Sequence, residues 1–135
     1  MRVVLDSNVY ASALTLPGGR ADAALSALLG GKATALISEP LMGEVLGVLG
    51  RKFSHDREQL ARTALLLSEL AEHVAPGSRV QVLADEPDNR VLECAVAGHA
   101  DLIVTGDRAM LRLGRYEGIR IVSLRAFLER LESTA

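Results

Sequence analysis

Asp6 closes the short apolar run Val3-Val4-Leu5, and Asp107 closes Leu102-Ile103-Val104 after a Thr105-Gly106 turn. Asp88 sits at another helix start, and Glu44 is a polar residue in the first half of a strongly apolar helical stretch, beside Gly43. Singly, each aspartate has an ordinary reading as an N-cap accepting a backbone N–H, worth about 1 kcal/mol. Together they carry different chemistry. Two unit charges ~4 Å apart repel by about 4 kcal/mol at an effective dielectric near 20, more than capping returns. Convergent acids must share protons or hold a cation. Oxygen-only ligation selects a hard cation, Mg²⁺ or Mn²⁺. Such a site ionises a bound water and steadies a phosphoryl transition state. Convergence depends on strand order, which the spacing alone leaves open.

The elements that must position these acids follow from apolar periodicity. Arg2–Leu5 reads as a buried strand, Val9–Leu16 as a helix start broken by Pro17-Gly18-Gly19, and Ala21–Leu29 as a helix stopped by Gly30-Gly31. Thr34–Ile37 is a second strand and Pro40–Leu49 a helix whose apolar stripe leaves Glu44 aside. Asp56 and Gln59 have capping-box spacing and open a helix expected to run to about His73. Val80–Leu83 is a weak third strand, Asp88–Ala97 a helix stopped by Gly98, and Leu102–Val104 the fourth strand. Arg108–Leu113 is a short helix ended by Gly114, Ile119–Val122 the fifth strand, and Ser123 caps a last helix through Leu124, Phe127, Leu128 and Leu131. Strands alternating with helices imply a parallel sheet covered on both faces, joined by right-handed crossovers. The expected fold is α/β: a three-layer α/β/α domain over residues 1–135 with a central, mostly parallel five-stranded sheet.

Composition narrows the function classes. With 15 Lys+Arg against 17 Asp+Glu, the formal net charge of −2 confines any polyanion binding to a local patch. The single cysteine, Cys94, rules out an internal disulfide and a cysteine-rich metal site, and its apolar helical setting is that of a small buried hydrophobe. No basic region followed by an apolar signal core opens the chain, and no run approaches the ~20 apolar residues of a membrane span, so a cytoplasmic protein is expected.

Four motifs in order resemble a PIN domain, specifically the small prokaryotic PIN proteins of the VapC-like toxin type. They are Val3-Val4-Leu5-Asp6-Ser7-Asn8-Val9; Ser38-Glu39-Pro40-Leu41-Met42-Gly43-Glu44-Val45-Leu46, followed by Arg51-Lys52-Phe53; Asp85 to Ala95; and Ala100-Asp101-Leu102-Ile103-Val104-Thr105-Gly106-Asp107. The resemblance covers nearly the whole chain. It implies a ribonuclease using one or two Mg²⁺ or Mn²⁺ ions, leaving 5′-phosphate and 3′-hydroxyl ends. It assigns Asp6, Glu44, Asp88 and Asp107 to the four acidic catalytic and metal positions, and Asn8 and Thr105 to polar positions beside them. It further implies an RNA substrate, an antitoxin protein and a homodimer, whose contact the apolar helix surfaces between Ala21 and Leu70 would supply. Two positions depart from many relatives, which carry acids where Asn89 and Ala109 stand. Asn89 keeps hydrogen-bonding capacity as a supporting polar residue; Ala109 puts the second metal in question.

Other residues weigh less. Arg108, Arg112 and Arg115 fall at i, i+4, i+7 and could meet the RNA backbone, although Gly114 should end the helix before Arg115. His55, His73 and His99 lack partners at ligand spacing, and Tyr10 is expected to be buried under the first helix. A haloacid-dehalogenase-like phosphohydrolase also begins with an Asp after its first strand. It wants a second Asp where Asn8 stands and a late Lys, yet no lysine follows Lys52. A non-catalytic PIN-like module binding RNA or protein is the other alternative, and it gives no reason to keep four acids.

Overall fold

The apolar runs too short for helices form strands because they can be covered on both faces. Val3, Val4, Leu5, Leu36, Ile37, Ile103 and Val104 are completely inaccessible to solvent, the condition of central parallel strands. A computed structural model, which describes residues 1–133, orders the elements as follows. The first half holds β1 (Arg2–Leu5), α1 (Ser7–Thr15), α2 (Arg20–Leu29), β2 (Thr34–Ile37), α3 (Glu39–Phe53), α4 (Arg57–Leu70) and β3 (Glu72–His73). The second holds α5 (Glu86–Ala97), β4 (Leu102–Val104), α6 (Arg108–Leu113), β5 (Arg115–Tyr116), β6 (Ile119–Val122) and α7 (Leu124–Ser133). The three-layer α/β/α architecture is the expected one.

Among the described residues the sheet has six strands, in the order β3-β2-β1-β4-β6-β5, parallel except for the β5–β6 pair. From β1 the chain builds outward through β2 and β3, then returns to the other side of β1 with β4. The β1–β4 junction is therefore the topological switch point, where crevices form beyond the strand C-termini. Leu5 and Val104 are register partners there.

Two expectations fail for identifiable reasons. Val80–Leu83 is not a strand. Its backbone N–H groups are claimed by side chains of α5: Val80 donates to Glu93 Oε2 (2.8 Å), and Val82 and Leu83 donate to Asn89 Oδ1 (3.2 and 2.9 Å). With those donors spent, no sheet ladder can form. The helix opened by Asp56 also stops at Leu70, short of His73, and Glu72–His73 pairs with Leu36–Ile37 instead. The sixth strand, β5, comes from a hairpin through Glu117 (φ 47°) and Gly118 (φ 82°). Positive φ at both loop residues is what a tight hairpin needs.

Gly98 does more than stop α5. A Cβ there would lie 2.6 Å from Leu36 Cδ1 and 3.2 Å from Val74 Cγ1, so its absence lets the helix end sit against β2. Arg2 Nε donates to the Gly98 carbonyl at 2.8 Å, tying β1 to the same place. Among the described residues no helix is long and apolar enough to cross a membrane.

The site stands on this core. Ile103 is wholly buried on β4, between β1 and β6. Ile103→Ala is expected to cost roughly 2–5 kcal/mol and Ile103→Val about 1 kcal/mol, checked by urea denaturation.

Candidate active site

Two of the acids arrive at the switch point directly from its two strands. Asp6 follows β1 and caps α1: its Oδ1 accepts the Asn8 N–H at 2.7 Å. Asp107 follows β4 by three residues and caps α6: its Oδ2 accepts the Met110 N–H at 2.9 Å. The capping role foreseen for these two is real. Asp88 is different. α5 begins at Glu86, so Asp88 lies inside its first turn rather than at its cap, and Asp85 holds the cap position without a side-chain cap bond. Three helix N-termini thus carry the three aspartates, and each N-terminus favours a negative charge.

Thr105 joins the first two acids. Its buried hydroxyl donates to Asp6 Oδ2 and accepts the Asp107 N–H at 3.0 Å. Around it, the Asp6 N–H donates to the Val104 carbonyl and the Thr105 N–H to the Val122 carbonyl, both at 3.0 Å. The turn between β4 and α6 is thereby stapled to the end of β1. Thr105→Val should leave the Asp6 oxygen and the Asp107 N–H without their shared partner at a cost of about 1–3 kcal/mol, with Thr105→Ser retaining most of it. Chemical denaturation of the two variants checks this.

Electrostatics shows which acids feel one another. Burial pushes the Asp6 carboxyl upward from its ordinary value, and Asp107 adds to the push; the Thr105 hydroxyl and the Asn8 and Val9 N–H groups oppose it. Asp88, only 9% exposed, is pushed up to about 7, first by burial and then by the charges of Asp107, Asp85 and Asp6, with a carboxyl–carboxyl contact to Asp107 adding to it. Asp6, Asp88 and Asp107 therefore form one electrostatic cluster drawn from three distant segments.

The other expected site residues lie as follows. Glu44 is on α3, and its partly exposed carboxylate lies 3.6 Å from Arg51; it is not among the charges acting on Asp6 or Asp88. Among the described residues no three His, Cys, Asp or Glu side chains stand in a geometry that closes a metal cage. The donor chemistry of the cluster still fits a hard dication: the side chains offer only oxygen, and their mutual repulsion is what such an ion relieves. Asn8 touches Asp6 through its backbone, its side chain being exposed. Asn89 is wholly buried and engaged with the segment before α5. Arg108 and Arg112 are exposed and, with Leu111, line a depression of about 460 Å³ on the helix that Asp107 caps. Arg115 lies off that helix, in β5, beyond Gly114 with φ +70°. Tyr10 and Cys94 are wholly buried.

Sequence reasoning gave no weight to Asp85, Arg90 or Glu93. Asp85 contributes charge to Asp88. Glu93 is a buried acid between Leu92 and Cys94, and Arg90 Nη2 lies 3.0 Å from it. An acid embedded in the apolar face of a helix was the available signal.

An α/β/α domain that gathers carboxylates at the switch point of a parallel sheet is of the acid-cluster class. The sequence profile of the PIN domain matches residues 2–109, and the chain belongs to that family. A curated relative, an uncharacterized protein of Methanocaldococcus jannaschii, is 26% identical over 117 residues, covering 84% of this chain and 75% of its own. Among solved structures, the fold is similar to VapBC2 from Rickettsia felis bound to a promoter DNA fragment (TM-score 0.66, 15% identity, 91% of this chain and 98% of that one). It is also similar to VapBC-1 from nontypeable Haemophilus influenzae (0.65, 16%, 93% and 99%). PAE2754 from Pyrobaculum aerophilum is a further neighbour (0.63, 16%, 98% and 90%).

Proposed function

We propose that this PIN domain is a metal-dependent endoribonuclease and the toxin of a toxin–antitoxin pair. The observation that carries the reading is the cluster of Asp6, Asp88 and Asp107 at the β1–β4 switch point, with Asp88 pushed up to about 7 by burial and by its neighbours. Acids arranged at that cost have a use when a cation neutralises them. Membership of the PIN family, whose members are in general nucleases, and the likeness of the fold to two VapBC structures support the rest.

In this reading Asp6, Asp88 and Asp107 hold Mg²⁺ or Mn²⁺, and Glu44 completes the set by leaving Arg51. When bound, the ion lowers the pKa of water and offsets charge on a phosphodiester in transition. The chain's own residues do the remainder. Thr105 holds the Asp6 and Asp107 segments at a fixed separation. Arg108 and Arg112 face solvent beside Asp107, where they can pair with phosphates flanking the scissile one. The exposed Leu29 and Leu65 mark the helical surfaces we assign to self-association and to an antitoxin.

The test is cleavage of several single-stranded RNAs by the purified protein with Mn²⁺ or with EDTA. Cleavage confined to the Mn²⁺ reactions is expected. No cleavage of any RNA, or cleavage that EDTA leaves intact, would overturn the proposal.

A further inference from the structure

α5 must hold Asp88 beside three acids that repel it, and one of them, the N-cap Asp85, makes no side-chain cap bond. The restraint comes from the next residue. Asn89 is completely buried and uses every hydrogen-bonding valence of its amide. Its Oδ1 accepts the Val82 and Leu83 N–H groups at 3.2 and 2.9 Å; its Nδ2 donates to the Leu83 carbonyl at 2.8 Å and to Glu86 Oε1 at 3.4 Å. One turn further, Glu93 takes the Val80 N–H at 2.8 Å, and Arg90, paired with Glu93, donates to the Val80 carbonyl at 3.1 Å. The irregular segment before α5 is thus laced to the helix by side chains of the helix itself, and the first turn, with Asp88, is fixed between them.

We propose that Asn89 is a positioning residue: it holds the first turn of α5, and hence Asp88, against the acid cluster, and does not itself approach a cation. The catalytic consequence rests on the reading that Asp88 binds a metal; the clamp itself does not. The two roles predict opposite outcomes for Asn89→Asp. An acid facing a metal would tighten it. An acid in this clamp keeps the accepted N–H groups but loses both donated bonds and sets a carboxylate against the Leu83 carbonyl.

The experiment compares native protein, Asn89→Asp and Asn89→Ala by amide hydrogen exchange, Mn²⁺ titration and RNA cleavage at saturating Mn²⁺. In Asn89→Ala the Val82 and Leu83 amides should lose protection while the β1 and β4 amides keep theirs. Mn²⁺ affinity should fall about 10- to 100-fold in both variants, with kcat reduced more than KM is raised. Tighter Mn²⁺ binding or faster cleavage by Asn89→Asp overturns the proposal. So does retained protection at Val82 and Leu83 in Asn89→Ala, or a lower melting temperature with unchanged Mn²⁺ affinity. Should Asn89→Ala not fold, the isosteric Asn89→Asp carries the affinity test. If the native protein binds no Mn²⁺, the metal reading fails, and exchange at Val82 and Leu83 still decides the clamp.

Discussion

Asp6→Asn is expected to retain the fold and to lose RNA cleavage by on the order of a thousandfold, several kcal/mol of transition-state stabilisation at ~1.4 kcal/mol per decade. The separation of the two effects makes the variant informative. Asn is as good an N-cap as Asp, so the bond to the Asn8 N–H can be kept. The Thr105 hydroxyl can rotate to face the introduced amide. The substitution also removes a carboxyl whose burial and proximity to Asp107 disfavour its charge, so without metal the variant should be at least as stable as the native protein. With Mn²⁺ the order should reverse, since only the native protein gains stability by binding an ion in its folded state. Melting curves with EDTA and with Mn²⁺, alongside cleavage assays, read both effects. Equal cleavage by variant and native protein would sink the nuclease proposal. Loss of cleavage accompanied by unfolding would reduce Asp6 to a structural cap.

How much of this was legible in the sequence differs from element to element. β1, β2, β4 and β6 could be read because each is a short apolar run with punctuated ends, and they appear at the expected residues. Their order could not be read. That β1 and β4 are neighbours follows from long-range pairing, and only that pairing brings Asp6 to Asp107. Val80–Leu83 carries a strand-like pattern, but pattern does not reveal where backbone donors go; Asn89 and Glu93 had already taken them. β5 escaped notice because two residues carry no periodicity, although Glu117-Gly118 was a usable turn signal. At the site, the residue types were visible and the coupling was not. Asp88 looked like a third cap, and the structure instead puts it inside the first turn of α5, where three other acids act on it. Glu44 looked equivalent to the aspartates, yet its carboxylate pairs with Arg51, two turns along α3.

The pH dependence of stability tests the cluster without any substrate. The Asp88 carboxyl sits at about 7 in the folded protein against an ordinary 3.8. Below about pH 4 it is protonated whether the chain is folded or not, and its contribution is at its most favourable. Between pH 4 and 7 the folded state keeps a proton that the unfolded state has released, so stability falls as pH rises. Above 7 the loss is complete, with a ceiling of about 4 kcal/mol at ~1.4 kcal/mol per unit. Asp6 is displaced in the same direction and adds to the slope. Asp88→Asn deletes the titrating group, so the difference between variant and native protein isolates its share. In EDTA the variant should be the more stable of the two at pH 8, and the gap should narrow as pH falls and close only near pH 4, where both states hold the proton. Mn²⁺ should invert the result, because an ion takes the place of the proton and its stabilising effect grows as pH rises through 7. A difference that stays flat from pH 5 to 8 in EDTA would mean that Asp88 does not feel its neighbours. With that coupling gone, the electrostatic reason for a cation at the β1–β4 switch point would go as well.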